Sequence, residues 1–187
     1  MADAGGSLSV DEAAREIRLV SRRLGLLHLA FAEALVAELG ETEGRRLIVK
    51  AIENYGRKIG ERKKAAARAR GMEPTREAFG QTRDLPGLGM HDGREAVEVD
   101  GEPRTRAYGC AMAEVWKEYG REDLGRLYCL VDPVNAMAFN PAFKLVSVKA
   151  LPEGDPHCEL TLRPTSEEER RAFQDGTLDW EALQRGA

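Results

Sequence analysis

The sequence lacks the features that define several large protein classes. It has three cysteines, an odd number, so a complete disulfide framework within the chain is excluded. No apolar run approaches the ~20 residues that a bilayer-spanning helix requires. Residues 1–9 show no basic start followed by an apolar stretch, so no secretory signal is read there. These absences set the expectation of a cytoplasmic chain with reduced thiols and no membrane partner. There is no glycine-rich phosphate loop of the P-loop or dinucleotide type and no Gly-x-Ser-x-Gly elbow. Charge of one sign is also missing: Lys+Arg number 28 against Asp+Glu 32, a net −4. That balance speaks against a globally basic nucleic-acid binder. The one basic run (Arg57, Lys58, Arg62, Lys63, Lys64, Arg68, Arg70) has no interleaved aromatics and reads as a solvated helix face, aided by Glu53 and Glu61.

What is present suffices for a folded core. Of 187 residues, 42% are hydrophobic and 32% charged, which fits one domain spanning 1–187 and is too apolar for a disordered chain. The expected class is α+β: a helical N-terminal half packed on a C-terminal antiparallel sheet of about four strands. The helical half covers about 9–71. Ser9 with Glu12 is a capping box. Ile17, Val20, Leu24, Leu27, Phe31 and Leu35 then form a stripe at helical spacing, read as the buried face. Gly40 stops this helix, Thr42 caps a second, and Gly71 ends that one. Residues 72–101, punctuated by Pro and Gly, form a loop-rich crossover with one short strand near Val97–Val99.

The mixed sheet half covers 102–164. Strands are expected at Arg104–Cys110, Gly125–Val131, Phe143–Ala150 and His157–Arg163, the last two joined as a hairpin. A short helix at Ala111–Tyr119 is stopped by Gly120, and one helical turn at Pro133–Phe139 is broken by Asn140-Pro141. The polar tail, 165–187, opens with a capping box at Thr165 and Glu168, and Trp180 and Leu183 dock it.

The chemistry-bearing residues concentrate in the second half. Cys110, Cys129 and Cys158 each fall in or at the end of an expected strand, so one sheet can gather them. Asp132 follows Cys129 by three, and His157 precedes Cys158. A thiolate is a metal ligand and a nucleophile, and a helix N-terminus, as expected just after Cys110, favours it. A free cysteine is equally a small buried hydrophobe. The absence of a Cys-x-x-Cys pair leaves a divalent metal such as zinc open, with Cys110, Cys129, Cys158 and His157 as candidate ligands. His28, on the helical stripe, is either a core histidine with a satisfied nitrogen or a base facing a pocket. His91 is a loop residue or a lid contact. Gly56 and Gly60, beside Tyr55, allow close helix packing or leave room for a ligand.

Taken together, Tyr108-Gly109-Cys110, Leu127-Tyr128-Cys129-Leu130-Val131-Asp132, Phe139-Asn140-Pro141 and Gly154-Asp155-Pro156-His157-Cys158 resemble the L-2-amino-thiazoline-4-carboxylic acid hydrolase family. The resemblance runs from about Leu35 to Arg163. Ala111 departs from it, standing where a proline is expected. The resemblance implies opening of a cyclic amidine or thiazoline ring to a carbamoyl amino acid. It implies Cys110, Cys129, Asp132 and Cys158 as catalytic candidates. Substrate-binding candidates are His28, Tyr55, Arg57, Arg106 and Asn140, with Arg57 or Arg106 for a carboxylate. The Gly-Asp-x-x-Cys ending is also similar to vinyl-reductase-type small-molecule-binding domains, so a non-catalytic sensor is the alternative. The expected partner is a small molecule, with no nucleic acid; self-association into a homo-oligomer stays open.

Overall fold

The computed structural model describes residues 8–184. Residues 1–7, where the reading for a secretory signal falls, and 185–187, the end of the tail, lie outside the described residues. Helix α1 spans Val10–Ala69 and opens on the Ser9/Glu12 capping box. Gly40 breaks it with φ 77° and ψ 166°. A Cβ on Gly44 would lie 2.7 Å from the Cα of Val36, so the chain folds back on itself there into two arms. The reversal happens at Gly40, and Thr42 already lies in the helix. Gly71 (φ 71°) turns the chain out of the second arm.

The first arm buries the expected stripe only in part: Leu24 and Leu35 pack against the core and Ile17 is half-buried. Val20, Leu27 and Phe31 are exposed, while Ser21, Gly25, Leu29 and Ala32 are buried. The cause is close approach: a Cβ on Gly25 would sit 3.0 Å from the Cα of Met112, and the Trp116 indole N–H donates to the Gly25 carbonyl at 3.1 Å. Only small residues admit a neighbour so near, so at Gly25 the inward face is chosen by size, while Leu29 supplies its buried apolar bulk.

Helix α2 spans Arg76–Gln81 within the crossover. Strand β1 then covers His91–Val99, far longer than the short strand expected, and β2 covers Glu102–Cys110. Asp100 (φ 52°) and Gly101 (φ 78°) join them, with Val99 opposite Glu102. An Asp-Gly pair with both φ positive is the two-residue turn whose twist suits a hairpin, which fixes this register. Helix α3 is Ala111–Glu118. At Ala111, the backbone N–H donates to the Met90 carbonyl at 2.9 Å, a bond that proline would forfeit.

The segment expected as a strand at Gly125–Val131 is helical. It holds the end of α4 (Glu122–Gly125), a 3-10 turn (Arg126–Leu130) and the start of α5 (Val131–Phe139). Leu124, Leu127 and Leu130 are all buried, and their step of three is the 3-10 period, not the strand period. Strands β3 (Phe143–Lys149) and β4 (Cys158–Pro164) pair antiparallel as expected, Phe143 opposite Pro164. The four-stranded sheet has the order β1-β2-β4-β3, antiparallel throughout. Helix α6 (Glu167–Asp175) uses Ser166 and Glu169 as its capping box, one residue later than read. Helix α7 is Trp180–Gln184, with Trp180 and Leu183 buried in the cluster that also holds Leu29, Ile52, Trp116 and Phe173. The fold is α+β, a helical N-terminal half against this sheet. Among the described residues no helix is long and apolar enough to cross a membrane.

Candidate functional site

Three joints of the fold meet at the cysteines. The pairing of β2 with β4 sets Cys158 opposite Ala107, three residues before Cys110. Cys110 is the N-cap of α3, and Cys129 lies in the 3-10 turn before α5. Arg126, Asp132, Cys110 and Cys158 all act electrostatically on Cys129, which puts the four candidate residues in one neighbourhood. All are partly buried and keep some accessible surface, as the wall of a recess does.

Burial dominates the proton affinities here. Desolvation pushes the Cys129 thiol up to about 12 although the Arg126 guanidinium opposes it. Cys158 is raised by burial against the Leu151 N–H, which donates to its sulfur at 3.4 Å. Cys110 is also raised by burial, and the opposing pull of the Ala113 and Met112 backbone N–H groups is the smaller effect. The helix N-terminus acts on Cys110 as expected from the sequence, but it does not win. All three cysteines rest as thiols near neutral pH. Asp132 is raised by burial to about 6, with Arg126, Arg94 and Lys63 holding it below a still higher value.

Arg126 is the residue that sequence reading missed. Its side chain is nearly buried; Nε donates to Glu153 at 2.8 Å, and the guanidinium also hydrogen-bonds Cys129. Its Nη1 is buried with no hydrogen-bond partner. Asn135, one turn on from Asp132 in α5, has its Oδ1 in the same condition. Unpaired buried polar atoms are costly in a native fold, so their presence marks a place where a ligand or water completes the pairing. The signal for Arg126 was available: Arg126, Cys129 and Asp132 are spaced by three, and a 3-10 turn puts them on one face. The strand reading put Arg126 and Cys129 on opposite faces. Lys63, read as part of a solvated basic face, is buried instead, its ammonium 3.5 Å over the Phe79 ring.

Other candidates are engaged elsewhere. His28 donates from Nε2 to the Leu124 carbonyl at 3.0 Å and packs edge-on to Trp116 and Tyr128, a core histidine. Tyr55 packs against Tyr128, ring centroids 6.1 Å apart, beside the site and not in it. Arg57 binds Glu53 and the Phe173 carbonyl, tying α6 to α1. Asn140 bridges the Pro74 carbonyl and the Ala142 N–H, a structural turn. Arg106 pairs with Glu159, and His157 approaches the same carboxylate at 3.3 Å. Adjacent residues on a strand face opposite ways, so this cluster lies across the sheet from Cys158. Gly56 and Gly60 serve packing: a Cβ on Gly60 would come 2.5 Å from the Asn135 carbonyl oxygen. Among the described residues no three His, Cys, Asp or Glu side chains are grouped to hold a metal ion, so the set Cys110, Cys129, Cys158 and His157 does not fit a zinc centre.

A groove of about 470 Å³ opens between the first arm of α1 and the segment leading into β1. Arg18, Gly89, His91, Asp92 and Arg94 line it. Arg94 on its wall also acts electrostatically on Asp132. His91, read as a loop or lid residue, is the first residue of β1 on this wall, and burial lowers it to about 4.

The chain matches the L-2-amino-thiazoline-4-carboxylic acid hydrolase family over residues 21–162. The chain belongs to that family. The matched stretch runs from the first arm of α1 into β4 and holds every member of the recess. No curated protein and no solved structure matches the chain.

Proposed function

We propose that this hydrolase-family chain opens the ring of a small cyclic amidine of the 2-amino-thiazoline-4-carboxylate kind, with Asp132 managing the protons. The observation that carries the reading is the Asp132 carboxyl held near pH 6 beside Cys129 and the unpaired Nη1 of Arg126. A carboxyl so placed is divided between acid and base near neutral pH, as proton transfer in both directions requires. In the reaction on the protonated amidine, Asp132 takes a proton from water as the oxygen bonds to the amidine carbon and the C=N π pair moves onto the ring nitrogen, which keeps its proton. The bond from that carbon to ring sulfur breaks, Asp132 returns its proton to the leaving sulfur, and the new hydroxyl loses its proton to solvent as it becomes the carbonyl. One water is consumed, and the product is a carbamoyl amino acid with a free thiol.

Arg126 Nη1 is the donor for the substrate carboxylate, and its charge strengthens in the desolvated recess. Cys129, resting as a thiol, serves as a hydrogen-bond donor and not as the first nucleophile. The test is turnover of 2-amino-thiazoline-4-carboxylate followed by release of small-molecule thiol. Asp132→Asn is expected to cost about 10²–10⁴ in kcat. Arg126→Lys is expected to raise KM more than it lowers kcat. Tight binding of the compound with no turnover in the wild type would replace the hydrolase by the non-catalytic binding domain.

A further inference from the structure

The groove between the first arm of α1 and β1 gathers positive charge that the fold leaves unmatched. Its walls are tied together. Arg18 on the arm donates to Asp92 of β1 at 2.9 Å and also binds Glu114 of α3. Gly89 (φ 82°) lies so near the arm that an added Cβ would come 2.4 Å from the Ala14 carbonyl oxygen. The groove is thus held in shape, and its volume of about 470 Å³ lies within the ~300–1,000 Å³ of ordinary small-molecule sites. Arg18 is matched by its two carboxylates. Arg15 on the arm and Arg94 on β1 also line the groove, and neither forms an ion pair among the described residues. Arg94 Nη2 is held instead by His91 Nδ1 at 3.0 Å. A guanidinium only donates, so Nδ1 accepts and the imidazole proton sits on Nε2. That Nε2–H has no partner among the described residues. Burial keeps His91 uncharged near neutral pH, so it adds a donor to the wall and no charge.

We propose that this groove binds a small organic dianion, a dicarboxylate or a phosphate monoester, with Arg15 and Arg94 closing on its charged groups from opposite walls. The charge count selects the class. Two unmatched guanidiniums face one groove in a chain of net −4, so a ligand of charge −2 balances them and a monoanion does not. The guanidinium fork fits carboxylate and phosphate oxygens alike. Ala14, Leu88 and the glycines of the lining are uncharged and suit a short carbon skeleton. Asp92 in the lining and Glu114 behind it confine the excess charge to these two side chains, which disfavours a long polyanion such as nucleic acid. The site is distinct from Arg126 in the recess, and it stands independently of the ring-opening reading.

Isothermal titration calorimetry at low salt and neutral pH tests this, with succinate and glycerol 3-phosphate as probes and acetate as the monoanion control. At least one dianion is expected to bind with a Kd below about 1 mM, and acetate at least about tenfold more weakly. Which dianion binds decides between carboxylate and phosphate. Arg15→Glu and Arg94→Gln are each expected to weaken binding about tenfold or more, the loss of one charge-assisted contact. Their circular dichroism should be unchanged, since both side chains are exposed. Arg94→Lys, which keeps the charge, is expected to recover part of the affinity. Arg23→Glu, at an exposed position on the same arm outside the groove, and Arg126→Lys in the recess should leave dianion binding unchanged. No binding of either dianion up to about 10 mM overturns the proposal. Binding that survives both groove variants also overturns it. An equal loss in Arg23→Glu would make the attraction a diffuse surface field, and a loss in Arg126→Lys with none in Arg94→Gln would put the anion in the recess; either result overturns it as well.

Discussion

At the residue scale the recess is a contest between desolvation and nearby charge, and Asp132 is where the outcome bears on chemistry. Its carboxyl sits at about 6 because burial outweighs Arg126, Arg94 and Lys63. As the proton acceptor in the first step it must be ionised. The kcat/KM of the wild type is therefore expected to rise between pH 5 and 7 with an apparent pKa near 6, and that limb should vanish in Asp132→Asn. Cys129 follows the opposite arithmetic. With its thiol at about 12, nearly none is thiolate at pH 7, and Cys129→Ser keeps a donor of similar shape. It is expected to lose less than about tenfold in kcat, since one neutral hydrogen bond contributes ~1 kcal/mol. A loss of several orders of magnitude, with a covalent adduct on Cys129 seen by mass spectrometry, would instead make the sulfur the nucleophile.

At the element scale, glycine decides which helices can touch. Gly60 faces the Asn135 carbonyl oxygen and the Ala138 Cβ, where an added Cβ would come to 2.5 and 2.6 Å. Gly60→Ala gains about 1 kcal/mol of helix propensity and loses more to overpacking. It is expected to lower the urea midpoint, by ~1–2 kcal/mol net, whereas Gly80→Ala in α2, with nothing within 4 Å, should be neutral or stabilising. The same packing rule explains how far the sequence was legible. Capping residues, glycine stops and the β3–β4 hairpin are local signals, and they were read at Ser9, Gly40, Gly71, Gly120 and Gly154. The buried face of the first arm was not, because Gly25 and Ala32 are chosen by the neighbour they admit and carry no hydrophobic signal of their own. The β1–β2 hairpin was announced by Asp100-Gly101, but the glycine-rich surroundings masked it. In the recess, Cys110, Cys129, Asp132 and Cys158 were singled out by their family motifs. Arg126 was not, because a step of three means convergence only once the segment is known to be helical.

At the scale of the whole molecule, stability against pH sums groups that pull in opposite directions. His91 is lowered to about 4 and His28 is also lowered, both mainly by burial. The unfolded chain takes up these protons at higher pH than the folded chain, so both histidines reduce stability on acidification, His91 over the window from about 6.5 to 4. Asp132 has the reverse sign. Its folded pKa is raised, the folded chain holds the extra proton between about 4 and 6, and acidification over that window stabilises the fold. Glu159 acts lower still: Arg106 and Arg104 hold it down to about 2, and its contribution is lost as pH falls from about 4.5 to 2. Between pH 4.5 and 6 the carboxyl of Asp132 therefore offsets one histidine. Removing it in Asp132→Asn leaves the histidines unopposed. The variant is expected to be more stable than wild type at pH 7.5, by about 2 kcal/mol once partial exposure is allowed for. That advantage should shrink steadily on acidification and disappear near pH 4, giving a slope of stability against pH steeper by up to ~1.4 kcal/mol per unit. Urea midpoints measured at half-unit steps from pH 4.5 to 7.5 read both curves. Parallel curves for variant and wild type would mean that Asp132 is already ionised across the range, and the carboxyl would lose its standing as the proton carrier of the recess.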